Sequence, residues 1–257
     1  MTADKKTPSR SGDHRSPDIR KGSSEVAQPQ GGRSSSSDVD AFLRKVAQAP
    51  GAATGGAKGR LIFAMDATAS RQPSWDKACH IQGEMFRETS ALGGLEIQLV
   101  FYRGFGECKA SSWIANSNEL LRRMTSVSCY AGHTQIGKVL KRAIDETRKK
   151  KVGALVFVGD AVEEDIDHLG HLAGELGVLG VPCFMFHEGF DPIAANAFQQ
   201  IARLSGGAYC SFDASSAKQL RDLLAAVAVY AAGGRRALAD YSRKAGGSVL
   251  QLTHQVK

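Results

Sequence analysis

Asp66, Thr68, Ser70, Thr134 and Asp160 form a set of hard oxygen donors, each close behind an apolar run or ahead of an amphipathic one. Asp66-Ala67-Thr68-Ala69-Ser70 follows the run Leu61-Ile62-Phe63-Ala64-Met65. Gly159-Asp160 follows Ala154-Leu155-Val156-Phe157-Val158, and Gly132-His133-Thr134 opens a long amphipathic stretch. Together these segments offer two carboxylates and three hydroxyls, with no thiolate or imidazole required. Two carboxylates nearly neutralise a divalent cation, and hydroxyls and waters can complete an octahedron. Mg²⁺ suits such donors at about 2.0–2.1 Å and keeps several waters. Mn²⁺ is acceptable, whereas Zn²⁺ prefers nitrogen or sulfur. A site with so few protein ligands leaves a position open to an outside Asp or Glu.

These donors are distant in sequence, so the fold must gather them. The apolar runs at 61–65 and 154–158 read as strands covered on both faces. Further strands are expected at 95–102, 109–114, 183–186 and 208–212. Helices are expected at 39–48, 73–90, 118–124, 134–149, 165–176, 193–204 and 214–232. The turn Gly104-Phe105-Gly106 is short enough to make 109–114 an antiparallel edge strand. Alternating strands and helices predict an α/β fold: a Rossmann-like, doubly wound, mostly parallel six-stranded sheet with one antiparallel edge strand and helices on both faces. In such sheets ligands bind outside the carboxyl ends of the strands. Those ends carry Asp66 and Asp160.

The order and spacing of these segments resemble a von Willebrand factor type A (VWA) domain of the bacterial intracellular type, over roughly 58–234. That family's metal-ion-dependent adhesion site uses D-x-S-x-S after the first strand, a Thr ahead of a helix, and an Asp after the fourth strand. Here the matching residues are Asp66, Thr68 and Ser70, then Thr134, then Asp160. Thr68 stands where the family has Ser and keeps the hydroxyl. Gly159-Asp160-Ala161 replaces the common Thr-Asp-Gly and keeps the ligand. The resemblance implies a binding module rather than an enzyme, with Mg²⁺ or Mn²⁺ bridging to an acidic residue of a partner protein, within an intracellular multiprotein complex. Arg71 and Trp75, just past the first loop, and Tyr130 and His133 are read as the partner-facing rim. Core packing is the competing reading for Trp75.

The 257 residues carry a net charge of +7, and it belongs to the ends. Residues 1–37 hold seven Lys/Arg against four Asp/Glu, residues 235–257 five against one, and 38–234 are balanced at 21 of each. Residues 1–37, rich in Ser, Gly and Pro, read as a disordered basic tail. Residues 38–57 read as a short helix and linker, with Phe42, Leu43 and Val46 on one face and a cap at Ser37 or Asp38. Residues 235–257 read as a basic extension, a basic helix after Gly233-Gly234 followed by an apolar stretch at 248–253. Such ends suit solubility, or weak contact with nucleic acid or an anionic surface, as in ribonucleoproteins. Five scattered cysteines and no apolar leader or membrane-length run point to a reducing, cytoplasmic setting. A phosphotransferase using Asp66 would want a second Asp where Thr68 stands, and no phosphate-cradling G-x-x-x-x-G-K-[ST] loop occurs. A metal-dependent phosphohydrolase is the weaker enzymatic alternative. His168 and His171 read as a solvated pair. The acidic run at 163–167 reads as favouring a helix N-terminus. The basic run at 148–151 reads as a helix end or a nucleic-acid patch.

Overall fold

The computed structural model describes residues 36–49, 58–89, 93–212 and 217–245. The expectations for 1–35 and for the apolar stretch at 248–253 lie outside the described residues. Six strands form one sheet in the order β3-β2-β1-β4-β5-β6. They are β1 (Gly59–Asp66), β2 (Leu95–Arg103), β3 (Glu107–Ile114), β4 (Ala154–Gly159), β5 (Cys183–Glu188) and β6 (Ala208–Phe212). All neighbours pair parallel except β3, which runs antiparallel to β2 at one edge. This is the expected doubly wound α/β sheet.

The alternation of side chains along the strands sorts the core into two layers. Leu61, Phe63 and Met65 of β1, with Val156 and Val158 of β4 and Phe184 and Phe186 of β5, face one side. Helices α1 (Ser36–Gln48), α2 (Gln72–Ile81), α3 (Gly83–Thr89), α4 (Ser117–Thr125) and α8 (Ala217–Ala245) cover that side. Ile62 and Ala64, with Leu155, Phe157, Cys183 and Met185, face the other. There they meet α5 (Ile136–Lys149), α6 (Ile166–Val178) and α7 (Pro192–Ser205). Both faces of β1 are therefore closed, which is why its run is apolar throughout.

Three elements differ from the sequence reading. The helix expected over 73–90 is two helices, broken at Gln82 just ahead of Gly83. The helix expected at 214–232 and the basic helix expected after Gly233-Gly234 form one element running to Ala245, kinked at Gly234, whose φ of 68° and ψ of −163° leave the helical region. Leu238 beyond the kink is buried. Helix α1 starts at Ser36, so Ser37 and Asp38 lie within it rather than before it. Its Phe42 and Val46 enter the core, where Phe42 packs edge-on against Phe184 and Phe186. Arg235 of α8 donates to the carbonyls of Gln48 and Ala49, satisfying the end of α1.

Candidate functional site

Because β1, β2, β4 and β5 are parallel, their last residues share one rim. Asp66 is in register with Tyr102, and Gly159 with His187. The chain leaves β1 through Asp66, which is 1% exposed. Its Oδ1 accepts the Thr68 N–H at 2.7 Å, a local turn that fixes the loop. Its Oδ2 is buried without a hydrogen-bond partner. The buried Tyr102 hydroxyl faces this carboxylate without a well-formed hydrogen bond. Burial pushes the Asp66 carboxyl above its ordinary range. The Thr68 bond opposes the rise, Asp160 adds to it, and Arg71 opposes it. Burial also raises Tyr102 well above the usual phenol value, with Asp66 adding to the effect.

Asp160 lies where β4 ends, and its Oδ2 accepts the Ser70 hydroxyl at 3.1 Å. The first and third segments are thus in contact. Thr134 lies two residues ahead of α5 rather than in it, 7% exposed. Its hydroxyl accepts the Glu163 N–H at 2.9 Å, while its own N–H donates to Glu163 Oε2 at 2.9 Å. That reciprocal pair ties Thr134 to the loop running on from Asp160. Backbone bonds from Tyr130 N–H to Ala67 O and from His133 N–H to Gly104 O hold the same loop against β1 and the β2–β3 turn. Gly132 is required there, since a Cβ would meet Gly104 backbone atoms at 2.1–2.4 Å.

The acidic run after Asp160 works across space. Asp165 caps its own helix, accepting the His168 N–H at 2.7 Å. Glu164 instead accepts the Ile136 and Gly137 N–H groups at 2.6 and 2.8 Å, capping α5. The Thr134 N–H, more than any other group, holds the Glu163 carboxyl below its usual range. Nothing in the local sequence signals that these glutamates serve a helix that begins 27 residues earlier.

The expected rim divides in two. Tyr130 and His133 are exposed, Tyr130 stacking over Arg103 at 4.5 Å and His133 touching the Phe105 ring edge-on. Arg71 and Trp75 are 2% and 1% exposed and cannot form a rim. Trp75 turns inward because α2 packs on the sheet, and its indole N–H donates to Met124 O. Arg71 turns inward to a partner the sequence reading missed, Glu188 at the end of β5. The Ser74 hydroxyl donates to the same Glu188 oxygen. Arg71 Nη1 also lies 3.9 Å from Asp160 Oδ2.

His187, beside Glu188, is buried with Nδ1 3.0 Å from the Tyr209 hydroxyl, and burial lowers its pKa. His168 and His171 are exposed on α6. Among the described residues no group of three or more His, Cys, Asp or Glu side chains makes a metal centre. A cation here would need hydroxyls and water beside two carboxylates. The basic run is engaged rather than free: Arg148 meets Glu175, Lys149 meets Glu146, Lys150 meets Glu96, and Lys151 donates to the carbonyls of Leu179 and Gly180.

No protein-family profile matches the sequence, and no curated protein matches it. Solved structures do. The VWA domain of SpRpn10 shares 15% identity over 66% of this chain and 95% of its own, with a TM-score of 0.52. Proximal thread matrix protein 1 from the mussel byssus, with a zinc-occupied MIDAS motif, shares 13% identity over 67% of this chain, with a TM-score of 0.55. This chain spans 46% of that protein. The vWF domain of the type V pili tip protein Mfa5 from Porphyromonas gingivalis shares 9% identity over 68% of this chain and 96% of its own, with a TM-score of 0.53. The fold is that of a VWA domain.

Proposed function

We propose that this chain is a metal-dependent protein-interaction module. Asp66, Thr68, Ser70, Thr134 and Asp160 would hold Mg²⁺ or Mn²⁺ directly or through water, and the cation would grip an Asp or Glu of a partner protein. The observation that carries this reading is the buried, unpartnered Asp66 Oδ2, in a carboxylate close enough to Asp160 to feel its charge. A buried carboxylate oxygen without a partner is strongly unfavourable when ionised, and a proton, ordered water or a cation can relieve it; of these a cation restores the charged form. The donors present are all oxygen, as a hard cation prefers. A neighbour of the same fold carries zinc in its adhesion motif. The five proposed ligands are all oxygen donors, which favours Mg²⁺ or Mn²⁺.

A protein partner is favoured by what surrounds the site. Phe105, Tyr130, Phe190 and Ile193 are exposed large apolar residues on loops or first turns that follow this rim, with Phe105 83% exposed. A charged centre among exposed aromatics suits a protein interface. None of the five cysteines is in a disulfide, which supports a reducing compartment such as the cytoplasm. No described helix is long and apolar enough to cross a membrane.

The test is calorimetric titration of Mn²⁺ and Mg²⁺ into the wild type and Asp66→Ala. Saturable heat is expected for the wild type alone, and equal heats would overturn the assignment.

A further inference from the structure

We propose that Arg71 and Glu188 together set how tightly the Asp66–Ser70–Asp160 site holds a divalent cation, Glu188 keeping the Arg71 guanidinium off Asp160. This rests on the metal-binding reading above. Arg71 is almost fully buried, and its Nε and Nη2 have no hydrogen-bond partners. Only Nη1 is engaged, in contact with Glu188 Oε2 and 3.9 Å from Asp160 Oδ2. Asp160 Oδ2 is the same atom that accepts the Ser70 hydroxyl. A guanidinium cannot lose its proton in a protein, so it is a permanent cation beside the carboxylate a metal would need. Its pull on Asp160 competes with the metal, and its charge repels the metal.

Glu188 counters both effects. It takes the guanidinium at contact distance, while the Ser74 hydroxyl on the same oxygen fixes where that carboxylate stands. Three carboxylates against one guanidinium leave the rim at −2, the complement of a divalent ion. Removing the Glu188 charge leaves Asp160 as the nearest remaining carboxylate for Arg71, so the guanidinium is drawn toward the metal's ligand. Removing the Arg71 charge leaves an extra carboxylate facing the cation. The two changes therefore act in opposite directions, and the pair together restores the original charge.

The experiment is calorimetric titration of Mn²⁺ into the full chain, with thermal melting of each variant to confirm folding. Glu188→Gln should weaken Mn²⁺ binding about tenfold and Arg71→Met should tighten it about tenfold, the size of effect one unit charge exerts a few ångströms away in a partly wet site. The double variant should return to within about threefold of the wild type, because its rim again carries −2. If the wild type binds and Asp66→Ala does not, yet Glu188→Gln and Arg71→Met both stay within about twofold of the wild type, the Arg71–Glu188 role is wrong and the metal reading stands. If the wild type itself shows no binding, the metal reading falls and this inference falls with it. Should Arg71→Met fail to fold, Glu188→Gln decides alone, since it keeps the side-chain shape and the Ser74 contact.

Discussion

Each end of the sheet buries an arginine, and the two are kept differently. Arg60, at the start of β1, lies flat over Trp113 at 3.7 Å, donates to Lys150 O, and stands 3.5 Å from Glu146 and 3.8 Å from Glu96. Glu146 in turn accepts the Trp113 indole N–H at 2.9 Å and meets Arg142 and Lys149. There the buried charge is enclosed by opposite charge, an aromatic face and a carbonyl. Arg71, at the other end, has one engaged nitrogen. Around it Asp66 Oδ2, Tyr102 Oη and His187 Nε2 are also buried without hydrogen-bond partners. Each such group opposes folding by roughly 1–3 kcal/mol. One rim is built to hold the antiparallel edge and α5 to the sheet. At the first, Arg60 Nε lacks a hydrogen bond but stands 3.8 Å from Glu96; at the other, Arg71, Asp66, Tyr102 and His187 each keep at least one unmet polar atom.

Three substitutions sharpen or break this contrast. The largest effect is expected from Glu146→Ala, which strands the Arg60 charge and the Trp113 N–H. Urea unfolding should show a loss of about 3 kcal/mol, while Mn²⁺ affinity stays put. A matching fall in affinity would mean that the two rims are not independent. Asp66→Asn should act with the opposite sign on stability. The raised Asp66 pKa means that ionisation disfavours the native state, a penalty fully present above the folded pKa and gone below the unfolded one. In EDTA at neutral pH the variant should melt roughly 2–4 °C higher, the shift that about 1 kcal/mol gives in a domain of this size. The gain should vanish as pH falls through the ordinary carboxylate range, and a destabilised variant at neutral pH would contradict the picture. The smallest effect is expected from Glu163→Gln. The depressed Glu163 pKa gives stability that is present above the ordinary Glu value and is lost as pH falls through the folded one. That carboxylate is half exposed, so water screens it, and the difference at pH 7 should be about 0.5 kcal/mol. Melting curves at pH 7 and in acid should show the difference only at pH 7.

Much of this was legible in order and period. The apolar runs at 61–65 and 154–158 gave β1 and β4, the short Gly104–Gly106 turn gave the antiparallel β3, and the strand ends gave the rim. The Ser70–Asp160 contact follows from the same logic. What escaped depends on partners far along the chain. Arg71 looked like a surface residue because Glu188 lies 117 positions away, and only the β1–β4–β5 adjacency joins them. Trp75, read as either rim or core, is core, and the sequence left the choice open because α2's inward face depends on α4, which supplies the Met124 carbonyl. The acidic run at 163–167 read as favouring a helix N-terminus, and the helix that Glu164 serves is α5, far back in the chain, while Glu163 reaches Thr134. The helix that period alone carried through 73–90 is interrupted at Gln82.

The place of α8 in this architecture bears on how the chain is made. One face of β1 is covered by α8, and the adjoining Phe184 and Phe186 are covered in part by Phe42 of α1. α1's final carbonyls meet Arg235, which is synthesised 186 residues after Ala49. The central strand therefore leaves the ribosome early but keeps an incompletely covered apolar side until α8 emerges. A chain stopped ahead of Leu220 should leave part of that face open and aggregate more readily than the full chain.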